Sequence, residues 1–143
     1  MLFRSKLDQL KALATEYSDD SNLASGISSG TYKHDGMIVV PCSMKSLSAI
    51  SNGYDETLVT RAAGVTLKES RKLVLVTRET PLTAINIENM LKLARLGVVI
   101  LPPVPGFYTR PKSIHEIIDH TVDRKSTRLN SSHVKRSRMP SSA

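Results

Sequence analysis

The chain has 143 residues, 40% hydrophobic, 4% aromatic and 23% charged, with one cysteine and no tryptophan, which is the range of one globular domain. A lone Cys42 excludes a disulfide scaffold and a four-cysteine zinc site and fits a reducing cytoplasm, and no apolar run approaches the roughly 20 residues of a membrane span. The net charge of +7 is unevenly spread, with 14 basic and 12 acidic residues up to Val122 but six and one from Asp123 onward, so the basicity belongs to the tail and not to a nucleic-acid-binding face.

The first ten residues, MLFRSKLDQL, lack the apolar core of a signal peptide, so the expected location is cytoplasmic. A helix is expected from Leu7 to about Ala14, followed by a stretch with no strong strand and no glycine-rich phosphate loop. Three short, β-branched apolar runs then read as buried parallel strands: residues 37–40 before Pro41, 73–76 before Thr77, and 98–101 before Pro102 and Pro103. Between the first two, residues 44–50 and 58–69 read as helices, with Asn52-Gly53 as their turn. Residues 81–96 read as a longer helix, with Thr80 as cap, Pro81 at the first position and Gly97 at the left-handed stop. Its Ile85, Ile87, Met90, Leu91, Leu93 and Ala94 form an apolar face. Ser113 to Glu116 is a capping box opening a last helix, whose Ile114, Ile117, Ile118, Thr121 and Val122 are expected to point inward.

The folded domain is expected over residues 1–122, and residues 123–143 form a basic, Ser-rich tail that builds no packed element. Within the tail, DRKSTRLNSSH (123–133) reads as the in-frame translation of a short-read sequencing adapter. The rival reading is a disordered basic arm that grips phosphates through charge.

Alternation of strand and helix implies an α/β fold with a mostly parallel sheet, and such sheets bind ligands beyond the carboxyl ends of their strands. Three segments lie there: 41–46, with Ser43 and Ser46 at a helix start; 77–80, with Arg78 beside Glu79; and 102–110, with Phe107, Tyr108 and Arg110. Structural readings stand beside the functional ones. Cys42 reads as a small buried residue, since no positioned His accompanies it. Arg78-Glu79 can be a plain ion pair; Arg61, Lys68, Arg71 and Lys72 a solvated face; Tyr108 a loop anchor. His34, His115 and His120 show no metal-ligand spacing.

PCSMKSLSAISNG (41–53), RAAGVTLKESRKLVLVTRETPL (61–82), IENMLKLARLGVVILPPVPGFY (87–108) and the following RPKSI resemble the UbiX family of flavin prenyltransferases over roughly residues 25–122. The resemblance implies a Rossmann-like, flavodoxin-like three-layer α/β sandwich, a homododecamer, and FMN as cofactor with no metal. It implies transfer of a dimethylallyl group from dimethylallyl phosphate to N5 and then C6 of reduced FMN. The prenylated FMN would serve UbiD-type decarboxylases, in ubiquinone synthesis or aromatic acid breakdown. By motif, Ser43, Met44, Lys45, Ser46 and Arg78 correspond to flavin contacts and Glu79 to the carboxylate that moves protons. Arg61 and Lys68 correspond to basic residues near the prenyl phosphate, and Tyr108 to the tyrosine that binds it. Arg124 falls sixteen residues past Tyr108, where the family has a phosphate-binding cation, but inside the adapter-like stretch. The family more often has Thr where Ser46 stands, and usually PRE where this chain has TRE.

The family's opening strand and TGASG turn have no counterpart here, so the first strand or strands of the fold are expected to be missing and the chain as written to be poorly folded and inactive. The residue types suit the reaction independently: arginine, lysine and tyrosine donors stabilise a departing phosphate, and a carboxylate beside an arginine can serve as base. Two alternatives remain. One is a flavin-dependent cysteine decarboxylase of the same fold group, against which the set Arg61, Lys68, Arg78 and Tyr108 speaks. The other is a non-enzymatic basic module acting through the tail, which would lose salt-dependent nucleic-acid binding when the tail is removed.

Overall fold

The computed structural model describes residues 7–130, with side chains for 8–123; residues 1–6 and 131–143, including part of the adapter-like stretch, lie outside the described residues. In chain order the elements are α1 (Leu7–Leu13), β1 (Gly36–Cys42), α2 (Met44–Asn52), α3 (Leu58–Lys68), β2 (Lys72–Thr77), α4 (Ala84–Arg95), β3 (Val99–Ile100) and α5 (Ile114–Asn130). The strands form one parallel sheet in the order β1-β2-β3, the α/β architecture expected from the alternation.

Cβ atoms alternate across a strand, so each strand sends one set of side chains to each face. On one face Val39, Leu73 and Leu75 join Leu47 and Ile50 of α2, Ala63 of α3 and Leu93 of α4 in the core, with Met37 and Ile100 packed against it. On the other, Ile38 and Val40 of β1 are exposed. The pairing of β1 with β2 slips between Val39↔Leu75 and Cys42↔Thr77. Pro41 lies in the slip; it has no N–H to give the ladder, and the bulge accommodates it.

Local chemistry sets the helix ends. Ser43 caps α2 and Thr57 caps α3 in a capping box with Thr60, and Asp20 takes two further α3 donors, the Leu58 N–H on its carbonyl (2.7 Å) and the Val59 N–H on Oδ1 (2.9 Å). α4 stops as expected: Gly97 has φ 85°, its N–H donates to the Ala94 carbonyl and the Val98 N–H to the Leu93 carbonyl, a Schellman closure.

Four expectations need correction. α4 starts at Ala84 with Thr83 as cap, whose Oγ1 accepts the Asn86 N–H at 3.3 Å; Thr80 instead donates its hydroxyl to the Glu79 carbonyl at 2.8 Å. Its buried side also differs in phase. Asn86, Asn89 and Met90 are half-buried and Leu93 is fully buried, while Ile85, at 68% exposure, Ile87 and Leu91 are exposed. The reason is polar: Ser51 donates to Asn89 Oδ1 at 2.8 Å across the α2–α4 contact, so Asn89 faces inward. On α5 the side facing the body carries Ile117, His120 and Thr121, and Ile114, Ile118 and Val122 are exposed. The Ser113 cap forms, accepting the Glu116 N–H at 3.2 Å, but the Glu116 carboxylate takes the N–H of Lys112, at 2.7 Å, one residue before the box position.

Arg71 is a clamp and not part of a solvated face. Its Nη1 donates to the Tyr32 carbonyl at 2.7 Å and its Nη2 to the Gly30 carbonyl at 2.9 Å, tying the loop before β1 to the turn before β2. Arg71→Met keeps the aliphatic stem and removes both bonds. It is expected to lower the unfolding free energy by about 2 kcal/mol, since charge-assisted bonds exceed neutral ones. Urea denaturation measures this, and an unchanged midpoint would contradict the clamp.

Candidate active site

Parallel pairing brings the ends of β1 and β2 side by side: Cys42 is opposite Thr77, so the residues that follow, Ser43 to Ser46 and Arg78-Glu79, leave neighbouring strands at the same edge. Ser43 Oγ accepts the Ser46 N–H at 3.1 Å and lies 3.0 Å from the Ser46 hydroxyl. The N–H groups of Met44 and Lys45 open the helix and have no intrahelical acceptor by construction. Lys45 is exposed and Met44 half-buried against the core. Arg78 and Glu79 are exposed. Glu79 Oε1 accepts the Thr80 N–H at 3.1 Å, and among the described residues no ion pair joins Glu79 to Arg78, so the guanidinium is not consumed by its neighbour.

Two buried groups stand at this edge. Cys42 is 1% exposed, and burial pushes its thiol up to about 11, so it is a packing residue, as expected, and not a nucleophile. A thiol whose pKa is higher folded than unfolded favours the native state below the unfolded value of 9.0, and that contribution disappears as pH rises to about 11. Between those values the chain is expected to lose stability that a Cys42→Ala variant does not lose. Denaturant midpoints of both, followed across that range, check this; parallel curves would contradict it. The second group is the Thr77 hydroxyl, buried with no hydrogen-bond partner among the described residues. In the sequence Thr77 stands just past the apolar run, at the start of the expected loop, with no evident role, whereas it is the last residue of β2. A polar residue closing a continuous apolar strand was the available signal.

The third segment follows β3. Tyr108 sits in a short 3-10 turn, Phe107–Thr109. It is 75% exposed, with its hydroxyl 3.2 Å from His120 Nε2 on α5 and the two rings edge to face, centroids 5.8 Å apart. Leu101, Pro102, Val104, Gly106, Tyr108 and His120 line an open hollow of about 400 Å³. The sequence alone gives His120 no role beyond its lack of metal-ligand spacing, and a partner twelve residues from Tyr108 leaves no short-range signal.

Arg61 and Lys68 are not brought to this edge within the chain. α3 lies on the amino-terminal half of β1: Thr66 Oγ1 is 3.7 Å from Met37 Sδ, and Ala62 borders a small apolar hollow with Gly36 and Met37. Arg61 Nη1 is 3.9 Å from Asp55 Oδ2 and Lys68 Nζ is 3.7 Å from Glu69 Oε1, both pairs solvent-facing. The backbone of Arg124 belongs to α5; its side chain lies outside the described residues. Among the described residues no three His, Cys, Asp or Glu side chains gather as a metal site, and no helix is long and apolar enough to cross a membrane.

The model of the flavoprotein family matches residues 5–126. The chain belongs to that family. This flavoprotein is 61% identical over 113 residues to the mitochondrial flavin prenyltransferase PAD1 of Saccharomyces cerevisiae, a match covering 79% of this chain and 47% of the relative. A crystal structure of AnUbiX in complex with FMN and dimethylallyl pyrophosphate superposes with a TM-score of 0.82 at 49% identity, over 85% of this chain and 64% of that one. A dodecameric FMN-dependent UbiX-like decarboxylase from Escherichia coli O157:H7 gives 0.80 at 48% identity, over 88% and 67%. The UbiX resemblance carried by the motifs is thereby borne out, as is the flavodoxin-like fold. The chain spans about half the length of the relative PAD1.

Proposed function

We propose that this flavoprotein forms part of the FMN and prenyl phosphate site of a flavin prenyltransferase, which transfers a dimethylallyl group from dimethylallyl phosphate to reduced FMN. The observation that carries the reading is the register Cys42↔Thr77, which sets the Ser43–Ser46 helix start beside Arg78 and Glu79. The donor set fits a flavin. The free N–H groups of the α2 start, the Ser hydroxyls, Lys45 and Arg78 are all donors, and a flavin mononucleotide presents carbonyl, ring-nitrogen and phosphate acceptors.

When bound, reduced FMN supplies the ring atoms N5 and C6 that accept the prenyl group. The Met44 and Lys45 N–H groups would hold its acceptors, and Arg78 would supply a fixed positive charge at the same edge. Glu79 would hold on one of its carboxylate oxygens a proton given up during the transfer, the general-base role its exposed position permits. Tyr108 donates its phenol proton to the departing phosphate, steadying charge as it develops. Arg61 and Lys68 lie at the other edge of the sheet, so their part in phosphate binding requires the α3 of a neighbouring copy. A dodecameric relative and the exposed apolar side chains Ile85, Ile87 and Leu91 of α4 support assembly of this chain into a homo-oligomer. The product would pass to a UbiD-type decarboxylase.

The test grafts residues 7–130 into PAD1 of Saccharomyces cerevisiae in place of its aligned segment, supplies reduced FMN and dimethylallyl phosphate without oxygen, and weighs the flavin. The expected product is FMN heavier by one C5H8 unit. A folded graft that returns unchanged FMN would refute the proposal.

A further inference from the structure

The geometry points to His120 as the positioning residue of Tyr108: its Nε2 carries a proton and donates it to the Tyr108 hydroxyl oxygen, turning the single phenol proton outward to an incoming phosphate monoester. The inference rests on the reading of Tyr108 given above and extends it to a residue on a different element.

A phenol has one proton to give. If Tyr108 donates to His120 Nε2 across the 3.2 Å contact, nothing is left for a phosphate oxygen. If His120 donates, the Tyr108 oxygen accepts on one side and its proton is free for the other. The second arrangement also strengthens Tyr108 as a donor, because hydrogen bonds in a chain polarise one another.

The surroundings hold the pair in this relation. His120 is half-buried on the body-facing side of α5 while Tyr108 projects into solvent, so the imidazole is the fixed partner and the phenol the presented one. Gly106 lies beneath both rings. A Cβ there would come within 3.1 Å of His120 Cε1 and 3.1 Å of Tyr108 Cε1, so a side chain at this position would push the two rings apart from their present edge-to-face approach. The turn carrying Tyr108 is closed by two bonds of its own, from the Thr109 hydroxyl to the Gly106 carbonyl at 2.9 Å and from the Arg110 N–H to the Phe107 carbonyl at 3.0 Å. The hollow between this turn and α5 is bordered by Leu101, Pro102 and Val104, apolar surface of the kind a short prenyl chain contacts.

The test uses the full chain labelled with ¹⁵N-histidine and dimethylallyl phosphate as probe. Imidazole nitrogen shifts, read well above the ordinary histidine pKa of about 6.5, are expected to show the proton of His120 on Nε2. Proton occupancy of Nδ1 would overturn the inference whatever the ligand does. His120→Phe is expected to weaken dimethylallyl phosphate about tenfold, with His120→Gln, whose Nε2 can still donate, recovering most of the loss. Tyr108→Phe should cost a similar factor and make the His120 substitution silent. Full affinity in His120→Phe, in a chain that Tyr108→Phe weakens, would overturn the inference alone. Full affinity in Tyr108→Phe would overturn the placing of the phosphate and this inference with it.

Discussion

Glu79→Gln in the PAD1 graft is expected to lower prenyl transfer by about 10²- to 10⁴-fold, the range over which a positioned base contributes, while leaving FMN affinity within about twofold. The separation follows from the site. Glu79 is exposed and the one described hydrogen bond of its carboxylate is from the Thr80 N–H next to it, a bond an amide oxygen reproduces. The glutamine is therefore accommodated without disturbing β2 or the loop. It cannot accept the proton. Single-turnover measurement of the prenylated product, beside a flavin titration of the same variant, reads both quantities. Equal loss of binding and turnover would mean that Glu79 holds the flavin and does not serve as base. Unchanged turnover would remove it from the reaction.

Leu75→Ala is expected to cost about 2–5 kcal/mol, enough to leave much of the chain unfolded at room temperature. Leu75 is fully buried at the centre of the middle strand and belongs to the core that also holds Val39, Leu47 and Leu93. β2 is flanked by β1 and β3 and its residues Leu73 to Thr77 are all buried, so a cavity there has little freedom to collapse. Ile87→Ala, on the exposed side of α4, removes comparable apolar volume and should change the stability of the isolated chain by less than about 0.5 kcal/mol. Urea unfolding of the two variants makes the comparison. A similar loss in both would show that α4 buries its apolar face, contrary to the structure.

The order of strands and helices was legible because each boundary is a local event. Gly97 closes α4, Gly53 follows α2 in the left-handed region, and Ser113 caps α5, each by bonds within a few residues. The meeting of the segments that follow β1 and β2, with Ser43 and Arg78, was legible too, since parallel strands put their carboxyl ends on one side. The inward side of α4 was not. Hydrophobicity places Ile85, Ile87 and Leu91 inside, whereas the bond from Ser51 to Asn89 turns a polar stripe toward α2. Nor could spacing reveal that Arg61 and Lys68 sit by the amino-terminal half of β1 while Arg78 sits beyond the carboxyl end of β2, because a helix's place along its sheet is set by packing such as Thr66 on Met37. The pairing of Tyr108 with His120 depends on how α5 docks beside the loop after β3, a tertiary relation no short motif encodes.

The most direct measurement is amide NMR of the ¹⁵N-labelled 143-residue chain during titration with FMN to excess, which registers weak as well as tight binding. The three strands and their helices close on one buried core, so the account departs from the expectation of a poorly folded chain and predicts shifts concentrated at Ser43 to Ser46 and at Thr77 to Glu79, the two segments that the Cys42↔Thr77 register sets side by side. Shifts confined to the hollow of Ile27, Tyr32 and Met37 at the other edge, or none at all, would contradict it.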